Sequence, residues 1–251
     1  MLKLAINGIN GKMGHVLAND IENDKNSILV CGFDLEKKDD INCDVYTNYD
    51  DCNDEIDVII DFSHPSQLEK LVNYCIKRNI PVVVATTGLT DEQKEFLKKS
   101  SEKIPVFFTA NMSLGVNLLV ELVNQAAKVL YPDFDIEIIE KHHNQKIDAP
   151  SGTALMIADE INETLDNSMA YMYDRHSVRK KRDKNEIGIH AVRGGTIVGE
   201  HEVLFAGNDE RISITHQATS KQIFATGAIR AAEFLKDKEN GMYSMKDVLI
   251  F

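Results

Sequence analysis

The densest run of reactive side chains in the sequence is Glu140-Lys-His142-His143-Asn-Gln-Lys146-Ile-Asp148-Ala-Pro150-Ser151-Gly152-Thr153. His142, His143 and Lys146, all able to carry positive charge, fall within five positions. They precede a Pro-Ser-Gly-Thr turn of the kind that starts a helix, whose first N–H groups lack intrahelical partners and attract anions. One stretch therefore offers imidazoles for proton transfer, an ammonium for one carboxylate and a helix N-terminus for a second. A small dicarboxylate suits that set. The competing accounts are that histidines between a strand and a helix serve as structural hydrogen bonders, or as two ligands of a metal. A zinc site would need a third or fourth ligand at metal spacing, and adjacent histidines on an extended chain point to opposite sides. The expectation is no metal.

A second constellation opens the chain. Gly8-Ile9-Asn10-Gly11-Lys12-Met13-Gly14 follows an apolar run directly and leads into a helical pattern. Glycines there allow a tight turn and close approach of backbone to a pyrophosphate seated on the helix N-terminus. The spacing is GxxGxxG rather than the commoner GxGxxG, so a bare strand–helix turn is the competing account. Asp34, twenty positions after Gly14 and at the end of the second apolar run, shifts the balance. A carboxylate at that place accepts hydrogen bonds from adenosine ribose hydroxyls. Its charge opposes a 2′-phosphate, whereas Lys37 and Lys38 could swing toward one. The expected cofactor is NADH, with NADPH tolerated.

The elements that must position these groups are legible from periodicity. Leu2–Asn7, Ile28–Phe33, Asp57–Phe62, Pro81–Ala85 and Ile104–Thr109 are nearly continuous apolar runs, as strands buried on both faces should be. Amphipathic segments separate them, which predicts a parallel sheet with crossover helices. Leu68, Leu71, Val72, Cys75 and Ile76 mark one such helix, with Pro65 in its first turn. From about Asn111 the pattern changes. A long apolar helix, Leu114 to Leu130, precedes an alternating strand over Phe134–Glu140 and a short helix from Ser151-Gly152. Alternating segments at Ile187–Arg193, Thr196–Phe205 and Arg211–His216 predict an antiparallel or mixed sheet with one open face. A last helix spans about Lys221 to Leu235. The expected fold class is α/β: a Rossmann-like parallel-sheet domain over 1–112, followed by an α+β domain over 113–220 with a mixed open sheet.

The formal charge of -12 repels phosphate backbones and anionic lipid, which argues against nucleic-acid and membrane partners. No apolar run approaches the roughly 20 residues needed to cross a bilayer, and the first residues do not read as a signal peptide. Cys31, Cys43, Cys52 and Cys75 are scattered with no CxxC pair, as reduced cytosolic thiols would be. The expected compartment is the cytoplasm.

The stretch HHNQKIDAPSGTA resembles the HHxxKxDAPSGTA signature of the 4-hydroxy-tetrahydrodipicolinate (dihydrodipicolinate) reductases. Further stretches resemble that family in the same order: the glycine turn, Asp61-Phe-Ser-His-Pro65, Thr86-Thr87-Gly88, Ala110-Asn111-Met-Ser113, Arg193-Gly194 through His201, and His216-Gln-Ala through Lys221. The resemblance runs from about residue 4 to residue 235. It implies an N-terminal domain binding NADH and/or NADPH, a C-terminal domain binding a cyclic dicarboxylate, a final helix (about 221–251) returning to the cofactor domain, and a homotetramer. It implies Gly8, Ile9, Asn10, Gly11, Lys12 and Met13 around the pyrophosphate and Asp34 on the ribose. Ala85, Thr86 and Thr87 would lie beside the nicotinamide, and Thr109, Ala110, Asn111 and Met112 would close the site. It further implies His142 as proton donor or acceptor, Lys146 as a second donor, and His143, Lys146, Gly152 and Thr153 as substrate-carboxylate contacts.

Lys221 departs from the family's usual arginine, and Ala85 from its usual glycine. The run from Arg179 to Lys184 reads as a solvated loop, with steering of a dianionic substrate as the sharper alternative. Arg175 and Arg193 are the candidates for buried roles.

Overall fold

The computed structural model describes residues 1–38 and 41–249. In chain order the elements are β1 (Leu2–Asn7), α1 (Lys12–Glu22), β2 (Ser27–Phe33), β3 (Asp44–Tyr46), β4 (Val58–Asp61), α2 (Leu68–Arg78), β5 (Val82–Val84), α3 (Asp91–Ser100) and β6 (Pro105–Phe108). They continue with α4 (Leu114–Leu130), β7 (Asp135–His142), α5 (Gly152–Thr164), β8 (Ala170–Met172), β9 (Glu186–Arg193), β10 (Gly199–Ala206), β11 (Arg211–Ala218), α6 (Gln222–Leu235), β12 (Gly241–Tyr243) and α7 (Met245–Val248). The chain divides into two compact units, one of Met1–Leu114 with the chain from Gln222 onward, the other Gly115–Lys221.

In the first unit seven strands form a wholly parallel sheet in the order β12-β6-β5-β4-β1-β2-β3. Leu4 and Ile6 of β1 face a layer built by Leu17 and Ile21 of α1 and by Ala225, Ala228, Ala232 and Leu235 of α6. Ala5 faces the opposite layer, with Leu68, Leu71 and Cys75 of α2 and Leu97 of α3. Burial on both faces is why these strands read as continuous apolar runs instead of alternating ones. This is the α/β architecture the periodicity predicts.

Several elements are absent from the periodicity reading. The three-residue strands β3, β8 and β12 are too short to show a period of two. Helix α3 is mostly polar and buries little beyond Leu97 and Ser100, so its apolar stripe is weak. Its start is nevertheless written in the sequence as a capping box, in which the Thr90 hydroxyl accepts from the Gln93 N–H and the Gln93 side chain accepts from the Thr90 N–H.

The second unit is a five-stranded mixed sheet in the order β11-β10-β7-β9-β8, antiparallel through β11, β10 and β7 and parallel from β7 to β8. One face packs against α4 and α5, with Val123, Ile138, Ile157, Ile189 and Phe205 at its centre. Strand β7 runs two residues beyond the expected end at Glu140, so His142 is its last residue. Helix α5 is thirteen residues long, not short.

Candidate active site

In the parallel sheet β1 and β4 are neighbours, while β2 and β3 build outward on one side and β5 and β6 on the other. Open α/β sheets hold ligands at such a reversal, outside the C-terminal ends of the strands. A cleft of about 570 Å³ lies there, lined by Gly8, Asn10, Gly11, Phe33, Asp34 and Lys38 among others. Gly8 has φ +81°, and a Cβ on Gly14 would stand 2.3 Å from the Ile9 carbonyl oxygen. The turn thus passes directly over the first turn of α1, which only glycine permits. Gly11 is the N-cap of α1, supplies no side-chain cap, and is followed by no acidic residue in the first turn. The early N–H groups of α1 at Lys12 and Met13 consequently suit an anion.

Asp34 is tied to the same turn. Its Oδ2 accepts from the Asn10 N–H at 2.9 Å and its Oδ1 from the Leu35 N–H at 2.7 Å. Asn10 donates Nδ2–H to the Glu36 carbonyl at 2.8 Å, which leaves its Oδ1 a buried acceptor with no partner. A free helix start, a pinned carboxylate and an orphaned acceptor in one cleft fit a dinucleotide.

The remaining expected cofactor residues divide by environment. Ile9 and Met112 have their side chains in the hydrophobic core, so they offer a ligand backbone atoms at most. Thr86 is buried and donates its hydroxyl to Asp61 at 2.7 Å, whereas Ala85 is half-buried and Thr87 exposed. Thr109 donates Oγ1–H to the Asn111 carbonyl at 3.3 Å, Asn111 Oδ1 accepts from the Ser113 N–H at 2.9 Å, and Ala110 is exposed. Asn7 and Tyr49 escape sequence reasoning although both line the cleft. Tyr49 donates to Asn7 Oδ1 at 3.0 Å across 42 positions, and no local spacing signals that pairing.

In the second unit the inward face of β7 presents Ile136, Ile138, Glu140 and His142 in turn. The first two join the core; the last two end the row with a fully buried carboxylate and an imidazole. Glu140 Oε2 lies 2.6 Å from His142 Nδ1. Arg193, opposite His142 on the adjoining strand β9, grips both Glu140 oxygens at 2.7 Å, and the Ser151 N–H donates to Oε1 at 3.0 Å. Burial acts to raise the Glu140 pKa, but hydrogen bonds from Arg193, His142 and Ser151 outweigh it and hold the carboxyl below its ordinary value. Glu140 therefore accepts at His142 Nδ1, which leaves Nε2 as the ring nitrogen outside that bond. The sequence does carry a signal for this pair: two residues two apart on a strand share a face.

His201 of β10 completes the cluster, its ring centroid 5.2 Å from that of His142 and its Nε2 3.0 Å from Ser151 Oγ, the N-cap oxygen of α5. Burial, with the nearby His142 charge, pushes the His201 pKa down to about 4. The unfolded chain binds that proton near pH 6.5, so this histidine favours the folded state fully above that pH. Stability should fall as pH drops from about 6.5 to about 4, by roughly 3 kcal/mol from this group. Urea titrations across that window check the slope, which His201→Asn should flatten.

His143 is half-buried, and the turn after it closes with the Lys146 N–H donating to its carbonyl at 3.2 Å. Lys146 Nζ lies 2.9 Å from Asp148 Oδ1, and the hydrogen bond from Lys146 holds the Asp148 carboxyl below its ordinary value. Gly152 has open space where a Cβ would be, and no acidic residue occupies the first turn of α5. The structure thus gathers the Glu140–His142–Arg193 network, the Lys146 ammonium and the α5 N-terminus within one unit. Among the described residues the group of three potential metal ligands within reach of one another is Cys31, Cys52 and Asp54, which contains neither His142 nor His143.

The basic run is a structural tie in part. Arg182 bonds Glu137, Asp135 and the carbonyls of Ile136 and Glu186, and Arg175 pairs with Glu186 at 2.5 Å. Arg179 and Lys181 remain exposed, as does Lys221.

Residues 2–112 match the family model of the dihydrodipicolinate reductase N-terminus and residues 115–249 that of its C-terminus. The chain is 50% identical to 4-hydroxy-tetrahydrodipicolinate reductase of Caldanaerobacter subterraneus subsp. tengcongensis over 249 residues, covering 99% of this chain and 98% of that protein. It is 45% identical to the same-named protein of Clostridium tetani, covering 99% and 97%. Its fold is similar to a dipicolinate-bound dihydrodipicolinate reductase from Paenisporosarcina sp. TG-14, with a TM-score of 0.84 at 27% identity and complete coverage of both chains. With both halves matched in order and relatives this similar over their full length, the chain belongs to the dihydrodipicolinate reductase family.

Proposed function

We propose that the chain reduces 4-hydroxy-tetrahydrodipicolinate, through its dehydrated form, to tetrahydrodipicolinate in lysine and diaminopimelate biosynthesis. One NAD(P)H and one proton are consumed, and NAD(P)⁺ and water are released. The observation that carries this reading is the Glu140–His142–Arg193 network beside Lys146 and the open N-terminus of α5. Bound NAD(P)H supplies the hydride. The conjugated imine that accepts it develops negative charge, which a nearby acid must quench. His142 is that acid: Glu140 fixes its ring and stabilises the imidazolium, so Nε2–H can be delivered to the substrate carbon. Lys146 leaves Asp148 for a substrate carboxylate and adds positive charge where the transition state needs it. The N–H groups of Gly152 and Thr153 receive the second carboxylate. His143 is a further donor to a substrate carboxylate.

Gly8 to Met13 hold the pyrophosphate and Asp34 the adenosine ribose. Asp34 opposes a 2′-phosphate, and Lys38, in the same cleft, moderates that opposition. NADH should therefore be preferred with NADPH accepted, and Lys38→Ala should lower kcat/KM for NADPH about fivefold, the effect of one exposed charge pair. A tenfold preference for NADPH in the wild type would overturn the assignment of Asp34.

The compartment is the cytoplasm, whose reducing conditions suit four free cysteines. No described helix is long and apolar enough to cross a membrane. The assembly is a homotetramer built on the helix-free face of the mixed sheet, where Ile139, Val192 and Leu204 lie; light scattering of the purified protein tests it. The reaction itself is tested by nicotinamide oxidation with freshly generated substrate, run with NADH and NADPH in parallel. Substrate-dependent oxidation supports the reading. Absence of oxidation with either cofactor rejects it.

A further inference from the structure

Asp61 takes no part in the chemistry above, yet it is fully buried at the end of β4 and forms no ion pair among the described residues. Its donors come from three separate segments. Oδ1 accepts from Asn7 Nδ2 at 2.7 Å, at the end of β1, and from the Ser63 N–H at 3.1 Å, just after β4. Oδ2 accepts from Thr86 Oγ1 at 2.7 Å, in the segment after β5. All three segments leave the edge of the sheet at which the cofactor cleft opens. Burial pushes the Asp61 carboxyl above its ordinary value, against the pull of these hydrogen bonds. A buried carboxylate without a cation costs stability that an apolar residue would not, so its presence asks for a reason beyond folding.

The reason lies in what each donor would do without it. Asn7 is held independently, by Tyr49 at 3.0 Å on its Oδ1 and by Ser63 Oγ at 2.9 Å on its Nδ2. The Thr86 hydroxyl has Asp61 as its acceptor. Side chains on an extended segment alternate sides, so drawing Thr86 inward turns Ala85 and Thr87 outward, and these are half-buried and exposed. We propose that Asp61 is a positioning residue for the nicotinamide end of the cofactor, acting through Thr86 to aim Ala85 and Thr87 at the ring. This rests on the reading of Ala85 to Thr87 as the nicotinamide contact.

The test measures affinity instead of turnover. Full-length wild type, Asp61→Asn, Thr86→Val, Thr86→Ser and the Asp61→Asn/Thr86→Val double variant are titrated calorimetrically with NADH and with ADP-ribose, which lacks the nicotinamide. Asp61→Asn and Thr86→Val should each weaken NADH about tenfold, as loss of one hydrogen bond to a charged group does, while ADP-ribose stays within about twofold. Thr86→Ser keeps the hydroxyl and should bind both ligands as wild type does. The double variant should be no weaker than either single, because both remove one interaction. Equal losses for the two ligands would mean a general structural role and overturn the proposal, as would unchanged NADH affinity in Asp61→Asn. Wild-type protein that binds neither ligand would overturn the cofactor reading and this proposal with it. Wild-type binding without selective loss in the variants would sink this proposal alone.

Discussion

His142→Gln should lower kcat by about 10² to 10⁴-fold, the range set by loss of a positioned general acid, while the Kd for NADH stays within about twofold of wild type. The asymmetry follows from placement. His142 ends β7 in one unit, and every group assigned to the dinucleotide lies in the other. Glutamine keeps a hydrogen-bonding group facing Glu140 but has no proton to give at neutral pH. Glu140→Gln should resemble it in direction, because a neutral amide would replace the carboxylate that lies 2.6 Å from Nδ1 and whose charge favours an imidazolium. Lys146→Ala should lower kcat and also raise KM for the dicarboxylate, because its ammonium serves both the transition-state charge and a substrate carboxylate. Single-turnover kinetics with saturating NADH separate these outcomes. A His142→Gln enzyme with normal kcat would remove His142 from the mechanism.

Arg193→Ala should destabilise the protein by about 3 kcal/mol and lower Tm on the order of 10 °C. The cost comes from the partner left behind. Glu140 is 0% exposed, and without the paired guanidinium contacts at 2.7 Å its carboxylate would retain His142 and the Ser151 N–H. Arg193 also donates to the Asp148 carbonyl at 2.6 Å, so the Lys146–Asp148 turn should loosen and activity should fall even where the protein is folded. The carboxyl of Glu140 would rise in pKa once Arg193 no longer holds it down. A carboxyl held below its ordinary value stabilises the fold above the unfolded pKa and loses that contribution as pH falls through the folded one. Wild type should therefore lose more stability than Arg193→Ala on acidification below about pH 4.3. Thermal melts at pH 7 and pH 3 check both statements, and an unchanged Tm at pH 7 would show that Glu140 finds another partner.

The glycine turn, Asp34 and the alternation of apolar runs with amphipathic segments are local patterns. They foretell the parallel sheet and the cleft at its edge because period and turn chemistry act within a few residues. The histidine–lysine run and the helix start at Ser151 are legible for the same reason, as is the family resemblance. Local pattern also marks its own failures: β3, β8 and β12 are too short for periodicity, and the polar helix α3 shows itself through its cap alone.

The partners of these groups are another matter. Arg193 meets Glu140 across 53 positions, His201 meets Ser151 across 50, and Asp61 gathers Asn7 from 54 positions before it and Thr86 from 25 after. Such pairings depend on strand order and register, which long-range packing of buried faces sets. The sequence by itself determined the reactive groups, the cofactor turn and the class of fold. Tertiary structure alone decided that Ile9 and Met112 point into the core, that Thr86 turns toward Asp61, and that Glu140 and Arg193 close around His142. The physical reason is that a residue's type states which bonds it can make, whereas burial and register decide which partner is within reach to make them.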